Sequence, residues 1–257
     1  MRAPQLSDFP STLASRLTII PSPAARPPSN VLILLHGLGD THHSLATLAR
    51  QLNLPETLCI SLLGPTPLPI GFDIGGGPSN DHGLQGHHWA DDIHFDPSPS
   101  APPVEMDAGF KAARKLLVED VINGVLIGKC GVKPREIMLF GFGQGGMAAL
   151  AAALALGGEL GGVISLGGCV PSDSSLSAAG KKCKTPVLLC AGEPGSAVND
   201  SGVSRLKECY QDVEVVRWKR AGDGMARNRE EMLPIMRFFA RRLRSRAGVP
   251  SGAVEVG

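Results

Sequence analysis

The chain has 257 residues, 43% hydrophobic and 19% charged, a composition that suits a soluble globular protein with one large core. Its net charge of +1 supplies no field to gather nucleic acid or acidic lipid, which argues against nucleic-acid binding. No apolar run reaches the roughly 18 residues of a membrane span, and residues 1–23 lack a basic segment followed by an apolar one, so a cytoplasmic protein without an integral membrane segment is expected.

In chain order, short apolar runs bounded by turn residues predict strands at 17–20, 31–35, 58–63, 136–141, 163–167, 187–191 and 213–218. Between them, helical spacing of apolar residues predicts helices at 44–52, 107–124, 145–156, 201–210 and 229–244. This alternation is the pattern of an α/β protein, a mainly parallel twisted sheet with helices on both faces. Residues 64–105, rich in Gly, Pro, Asp and His, are expected to form a long loop over one end of the sheet, a candidate lid. The expected organisation is one domain over 1–244 and a fraying tail at 245–257. The six cysteines lack C-x-x-C spacing and read as free thiols, with Cys59, Cys169 and Cys190 in or beside apolar runs.

Three motifs carry chemical information. The run Leu34-Leu35-His36-Gly37-Leu38-Gly39-Asp40 places a glycine loop directly after a buried strand. Residues 139–148, Leu-Phe-Gly-Phe-Gly-Gln-Gly-Gly-Met-Ala, have the form of a strand-to-helix nucleophile elbow, but the position of the nucleophile is Gly143. Glycine accepts the strained turn readily and brings no oxygen to attack a carbonyl. The third motif, Pro186 to Gly192, is a strand followed by a turn.

Together these motifs resemble the phospholipase/carboxylesterase family of α/β hydrolases, which includes the acyl-protein thioesterases, over most of the chain from the strand at 31 to the helix ending near 244. The resemblance implies the α/β-hydrolase fold and an esterase or thioesterase ancestry. In active members a serine attacks, a histidine takes its proton and an aspartate orients the histidine. Carried over to this sequence, those places fall on Gly143, Met225 and Gly195, with Glu193 at an earlier acidic position. No histidine follows His94, so a shift of a few residues in that correspondence restores no base.

Backbone donors do not depend on side-chain identity, and the resemblance assigns an oxyanion hole to the amides of Leu38 and Gln144. An equal reading is that the Gln144 N–H merely starts a helix. His36 is expected to shape the loop rather than transfer protons. His42 and His43 are expected to be solvated at the start of a helix. His82, His87, His88 and His94 surround Trp89, Asp91 and Asp92; a polar lid whose Trp89 packs downward is favoured over a divalent-metal site. His36, His88 and Trp89 are thus candidate pocket or lid residues. No metal or cofactor is expected. The leading expectation is a noncatalytic member of the family that binds an acyl or other small apolar ligand, or a protein partner. The competing expectations are an ester or thioester hydrolase using displaced residues such as His36 or His88, and an interaction module with a collapsed pocket.

Overall fold

A computed structural model describes residues 1–24, 27–69, 85–93, 106–172 and 180–246. Seven strands form one sheet: β1 (Leu17–Ile20), β2 (Asn30–Leu35), β3 (Thr57–Leu62), β6 (Ile137–Phe142), β7 (Gly162–Leu166), β8 (Val187–Gly192) and β9 (Val213–Trp218). Their order is β1-β3-β2-β6-β7-β8-β9. Only β1 runs antiparallel to its neighbour; every other pairing is parallel. Two short strands, β4 (Thr66–Pro67) and β5 (His87–His88), pair antiparallel beyond the ends of the main sheet.

Every residue of β2, β3, β7 and β8 is buried, as expected for parallel strands covered on both faces. Because side chains alternate along a strand, Val31, Ile33 and Leu35 enter one core while Leu32 and Leu34 enter the other. The first core is closed by α4 (Gln144–Leu156), whose run of alanines lets it lie close to the strands, and by α3 (Lys111–Arg114), which continues as a π-helical stretch, Lys115–Ile127. The second is closed by α2 (His42–Leu52) and α6 (Arg229–Arg242) through Leu45, Ala49, Ile235 and Phe239. The described residues also form α1 (Ser11–Ala14), α5 (Asp200–Cys209) and short 3-10 turns at Leu6–Asp8 and Pro134–Glu136. Asn199 caps α5 by accepting from Gly202 N, and Asn228 caps α6 by accepting from Glu231 N.

The chain after α6 returns to the start of β2. Asn30 Nδ2 donates to the Arg244 carbonyl and Asn30 Oδ1 accepts from Arg244 N, each at 2.8 Å. Arg246 N donates to Glu56 Oε2 at 2.7 Å.

The sequence places the seven strands of the main sheet within a residue at every end. Three expectations are corrected. The helix expected over 107–124 is α3 followed by the π-helical stretch to Ile127. The loop expected over 64–105 contains β4 and β5, while residues 70–84 and 94–105 lie outside the described residues. His42, expected in solvent, is buried; its carbonyl accepts from Ser61 Oγ at 2.6 Å, and Ser61 is itself fully buried.

Candidate active site

The C-terminal ends of β2 and β6 lie side by side, and the loops that follow them are forced together by glycine. A Cβ on Gly145 would collide with the carbonyl oxygens of Leu35 and His36, one on Gly141 with the Gly145 carbonyl, and one on Gly146 with Ser165 Oγ. Gly143 differs. Its backbone is at φ 50°, ψ −118°, a conformation that L side chains rarely adopt, yet among the described residues a Cβ there would meet nothing closer than the Met106 methyl at 4.0 Å. The turn is fixed by Gly143 N donating to the Leu166 carbonyl at 2.8 Å and by the Gly143 carbonyl accepting from Met147 N at 3.1 Å. Strain at Gly143 is therefore a matter of backbone angle, whereas its glycine neighbours are required by close approach.

On the β2 side, His36 is fully buried. Its Nε2 accepts from Gly64 N at 2.9 Å, which leaves the ring proton on Nδ1, 2.7 Å from the Gly37 carbonyl. Burial pushes its pKa down to about 4, so the ring is neutral and both nitrogens are engaged. The His36 carbonyl accepts from Trp89 Nε1 at 2.8 Å, and the two rings lie 5.4 Å apart. Gln144, buried at the start of α4, accepts from Trp89 N through Oε1 at 2.8 Å and donates from Nε2 to the Met106 carbonyl at 3.3 Å. Its side chain thus ties two loop segments to the elbow. Leu38 is half-buried between these supports, next to Gly39, whose N–H donates to the His87 carbonyl at 2.9 Å.

The loops after β8 and β9 lie at the same end of the sheet. Gly195, at φ 79°, faces Gly222 N, and Gly222 N donates to the Pro194 carbonyl at 2.8 Å. Asp223 reaches across from the second loop to the first. Its Oδ1 accepts from Gly192 N at 3.0 Å, its Oδ2 from Ala197 N at 2.9 Å, and both oxygens lie within 2.8–2.9 Å of Ser196 Oγ. Met225 turns away to pack against the α2/α6 core, and Arg220, stacked on Trp218 at 4.7 Å, donates to the Met225 carbonyl at 3.0 Å.

A family model described as phospholipase/carboxylesterase matches residues 18–242. The chain belongs to that family. An uncharacterized hydrolase of Schizosaccharomyces pombe is 33% identical over 74% of this chain and 73% of its own length. Acyl-protein thioesterase 1 of Saccharomyces cerevisiae is 28% identical over 73% of this chain and 79% of its own. A rice protein described as a probable inactive carboxylesterase is 27% identical over 80% of this chain and 82% of its own. Among solved structures, esterase PE8 shares the fold with a TM-score of 0.68 at 23% identity, over 89% of this chain and all of that one.

Within this carboxylesterase fold, the residues singled out in the sequence fall into two groups. Leu38, Gly143 and Gly195 stand on the loops after β2, β6 and β8, and Gln144 opens α4, all at the carboxyl end of the parallel strands. His36, His88 and Trp89 are buried, with exposures of 0, 2 and 0%. Burial lowers the His88 pKa, and its Nδ1 has no partner among the described residues. Ser165, fully buried, donates to the Gly168 carbonyl at 2.7 Å, and the Cys59 and Cys190 thiols are pushed up to about 12 by burial. None of these is an exposed, activated nucleophile. Asp91 is committed to α3, accepting from Lys111 N and Ala112 N at 2.8 and 2.7 Å. His82 and His94 lie outside the described residues, and among the described residues no group of three or more His, Cys, Asp or Glu is placed to hold a metal. No helix among them is long and apolar enough to cross a membrane.

The sequence reading missed Asp223 and Met106. Asp223 stands two residues before the place assigned to the base, and only the folded chain brings its carboxylate to the opposite loop. A cavity of ≈ 320 Å³, lined by residues that include Ile20, Ala49, Arg50 and Cys59, lies by β1 and the end of α2, remote from the elbow at the other end of the strands.

Proposed function

We propose that this carboxylesterase-family protein does not carry out serine hydrolysis and uses its crevice to bind an acyl or other small apolar ligand. The observation that carries the reading is the elbow: a bare glycine backbone at φ 50°, with the Met106 methyl, among the described residues, the nearest group to where a side chain would begin. No hydroxyl is offered there, and removing a nucleophile leaves only the contributions of binding and oxyanion stabilisation. The neighbouring His36 does not supply a displaced base, because Nε2 is already accepting from Gly64 and the imidazole is neutral down to about pH 4. In this reading the amides of Leu38 and Gln144 cradle a ligand oxygen, helped by the N-terminus of the thirteen-residue α4. The rice relative described as a probable inactive carboxylesterase is in keeping with a family scaffold kept without turnover.

The test is to incubate the pure protein with short- and long-chain acyl esters and thioesters, and separately with a fluorophosphonate probe. The expected results are hydrolysis at the buffer rate and no covalent label. Turnover lost on substitution of a crevice residue, or a label mapped to that crevice, overturns the proposal.

A further inference from the structure

The loops after β8 and β9 are held together by a carboxylate from an unexpected side. In a triad of this order the acid belongs to the loop after β8 and reaches toward a base on the loop after β9. Here the direction is reversed. Asp223, on the second loop, accepts from Gly192 N, Ala197 N and Ser196 Oγ on the first. Ser196 Oγ in turn accepts from Val198 N at 2.9 Å, and Arg217 Nη1 donates to the Val198 carbonyl at 2.7 Å. Gly167, following β7, has φ 70°, and a Cβ on it would stand 2.6 Å from Asp223 Cβ. The next residue, Gly168, packs against the Gly143 carbonyl and Met147 N. The Asp223 side chain is thus wedged at the ends of β7 and β8, one glycine removed from the elbow.

We propose that Asp223 is a positioning residue, a built-in anion that fills a three-donor carboxylate seat made by Gly192 N, Ala197 N and Ser196 Oγ, and so keeps the crevice in shape. The inference rests on the noncatalytic reading only for its interpretation. Its test reads local protection and anion binding rather than hydrolysis, so a hydrolytic protein would defeat that reading and leave this one standing.

The physical basis is that two backbone amides and a hydroxyl converge on one charged acceptor, and charge-assisted bonds are roughly twice as strong as neutral ones. Removing the carboxylate leaves three donors facing a space shaped for a –COO⁻ group. Formate, which carries that group and little else, fits the same chemistry.

The experiment is residue-resolved amide hydrogen exchange on the full chain and on Asp223→Ala, with and without formate, using chloride at equal ionic strength as the control. We expect Gly192 and Ala197 to exchange about tenfold to a hundredfold faster in the variant, from the usual worth of a bond to a charged acceptor. The central amides of Leu188 and Leu189 should be unchanged, and formate, unlike chloride, should restore protection at both sites. Unchanged exchange at Gly192 and Ala197, or acceleration that formate does not reverse, overturns the proposal. Should Asp223→Ala fail to fold, Asp223→Asn decides: its amide has one oxygen to accept with, so protection must fall at one of the two amides or more. Wild-type protection at both in that variant also overturns it.

Discussion

Gly64 N donates to His36 Nε2 across 2.9 Å, and this bond selects the Nδ1-protonated tautomer of an imidazole that burial holds neutral. Folding therefore favours the neutral ring. An unfolded histidine takes up a proton near pH 6.5, whereas His36 and His42 resist until about pH 4. Below pH 6.5 the unfolded chain binds more protons than the folded one, so stability is full above pH 6.5 and falls as the pH is lowered toward 4. For His36 alone the loss is on the order of 3 kcal/mol. Urea unfolding at a series of pH values should show this decline, and His36→Asn should flatten the part of it due to this ring.

Gln144 should matter for stability through its side chain as well as through its backbone. Gln144→Ala leaves the buried Trp89 N–H without its acceptor, at a cost of about 1–3 kcal/mol. Trp89→Phe removes the donor to the His36 carbonyl and part of a fully buried ring, with an effect at least as large. Chemical denaturation of the two variants measures both.

Alanine substitutions at the elbow should separate close approach from backbone strain. Gly143→Ala should fold with a loss of about 1–2 kcal/mol, the cost of a Cβ at positive φ. Gly145→Ala should be far more damaging, because its Cβ meets two carbonyl oxygens that belong to the β2 loop. Thermal unfolding of the pair gives the order, and equal losses would contradict the packing argument.

A restored triad should be hampered by Asp223. In Gly143→Ser/Gly195→Asp/Met225→His, the new carboxylate stands beside Ser196 and Ala197, both of which already donate to Asp223. Two like-charged carboxylates compete for those donors and repel each other, which leaves the introduced imidazole poorly oriented. Adding Asp223→Asn should increase ester hydrolysis by about tenfold over the triple variant, the effect of relieving one like-charge contact of about 1.4 kcal/mol. A rate equal to or below that of the triple variant would run against this account.

The fold was legible because its strands are unbroken apolar runs closed by turn residues, and because Gly141, Gly145 and Gly146 leave the elbow no other way to pack. The starts of α5 and α6, predicted at 201 and 229, lie within a residue of the observed Asp200 and Arg229. The π-helical stretch was not: apolar spacing over three turns barely distinguishes α from π, and the wider bonds, such as Gly128 N to the Asn123 carbonyl at 2.9 Å, leave no mark in the sequence. His42 was misplaced because its burial comes from packing beside β3, far along the chain. Asp223 escaped for a related reason. Its partners lie 26 to 31 residues away, on another strand's loop.

The clasp between Asn30 and Arg244 has a practical consequence for labelling. It anchors the backbone after α6 at the amino end of β2, while Gly143 lies at the carboxyl end of the adjoining β6. A fluorophore carried on a cysteine introduced at Arg246 would therefore report from about 20 Å away, the length of a six-residue strand. It could track the whole molecule by anisotropy while leaving the mouth of the crevice unobstructed.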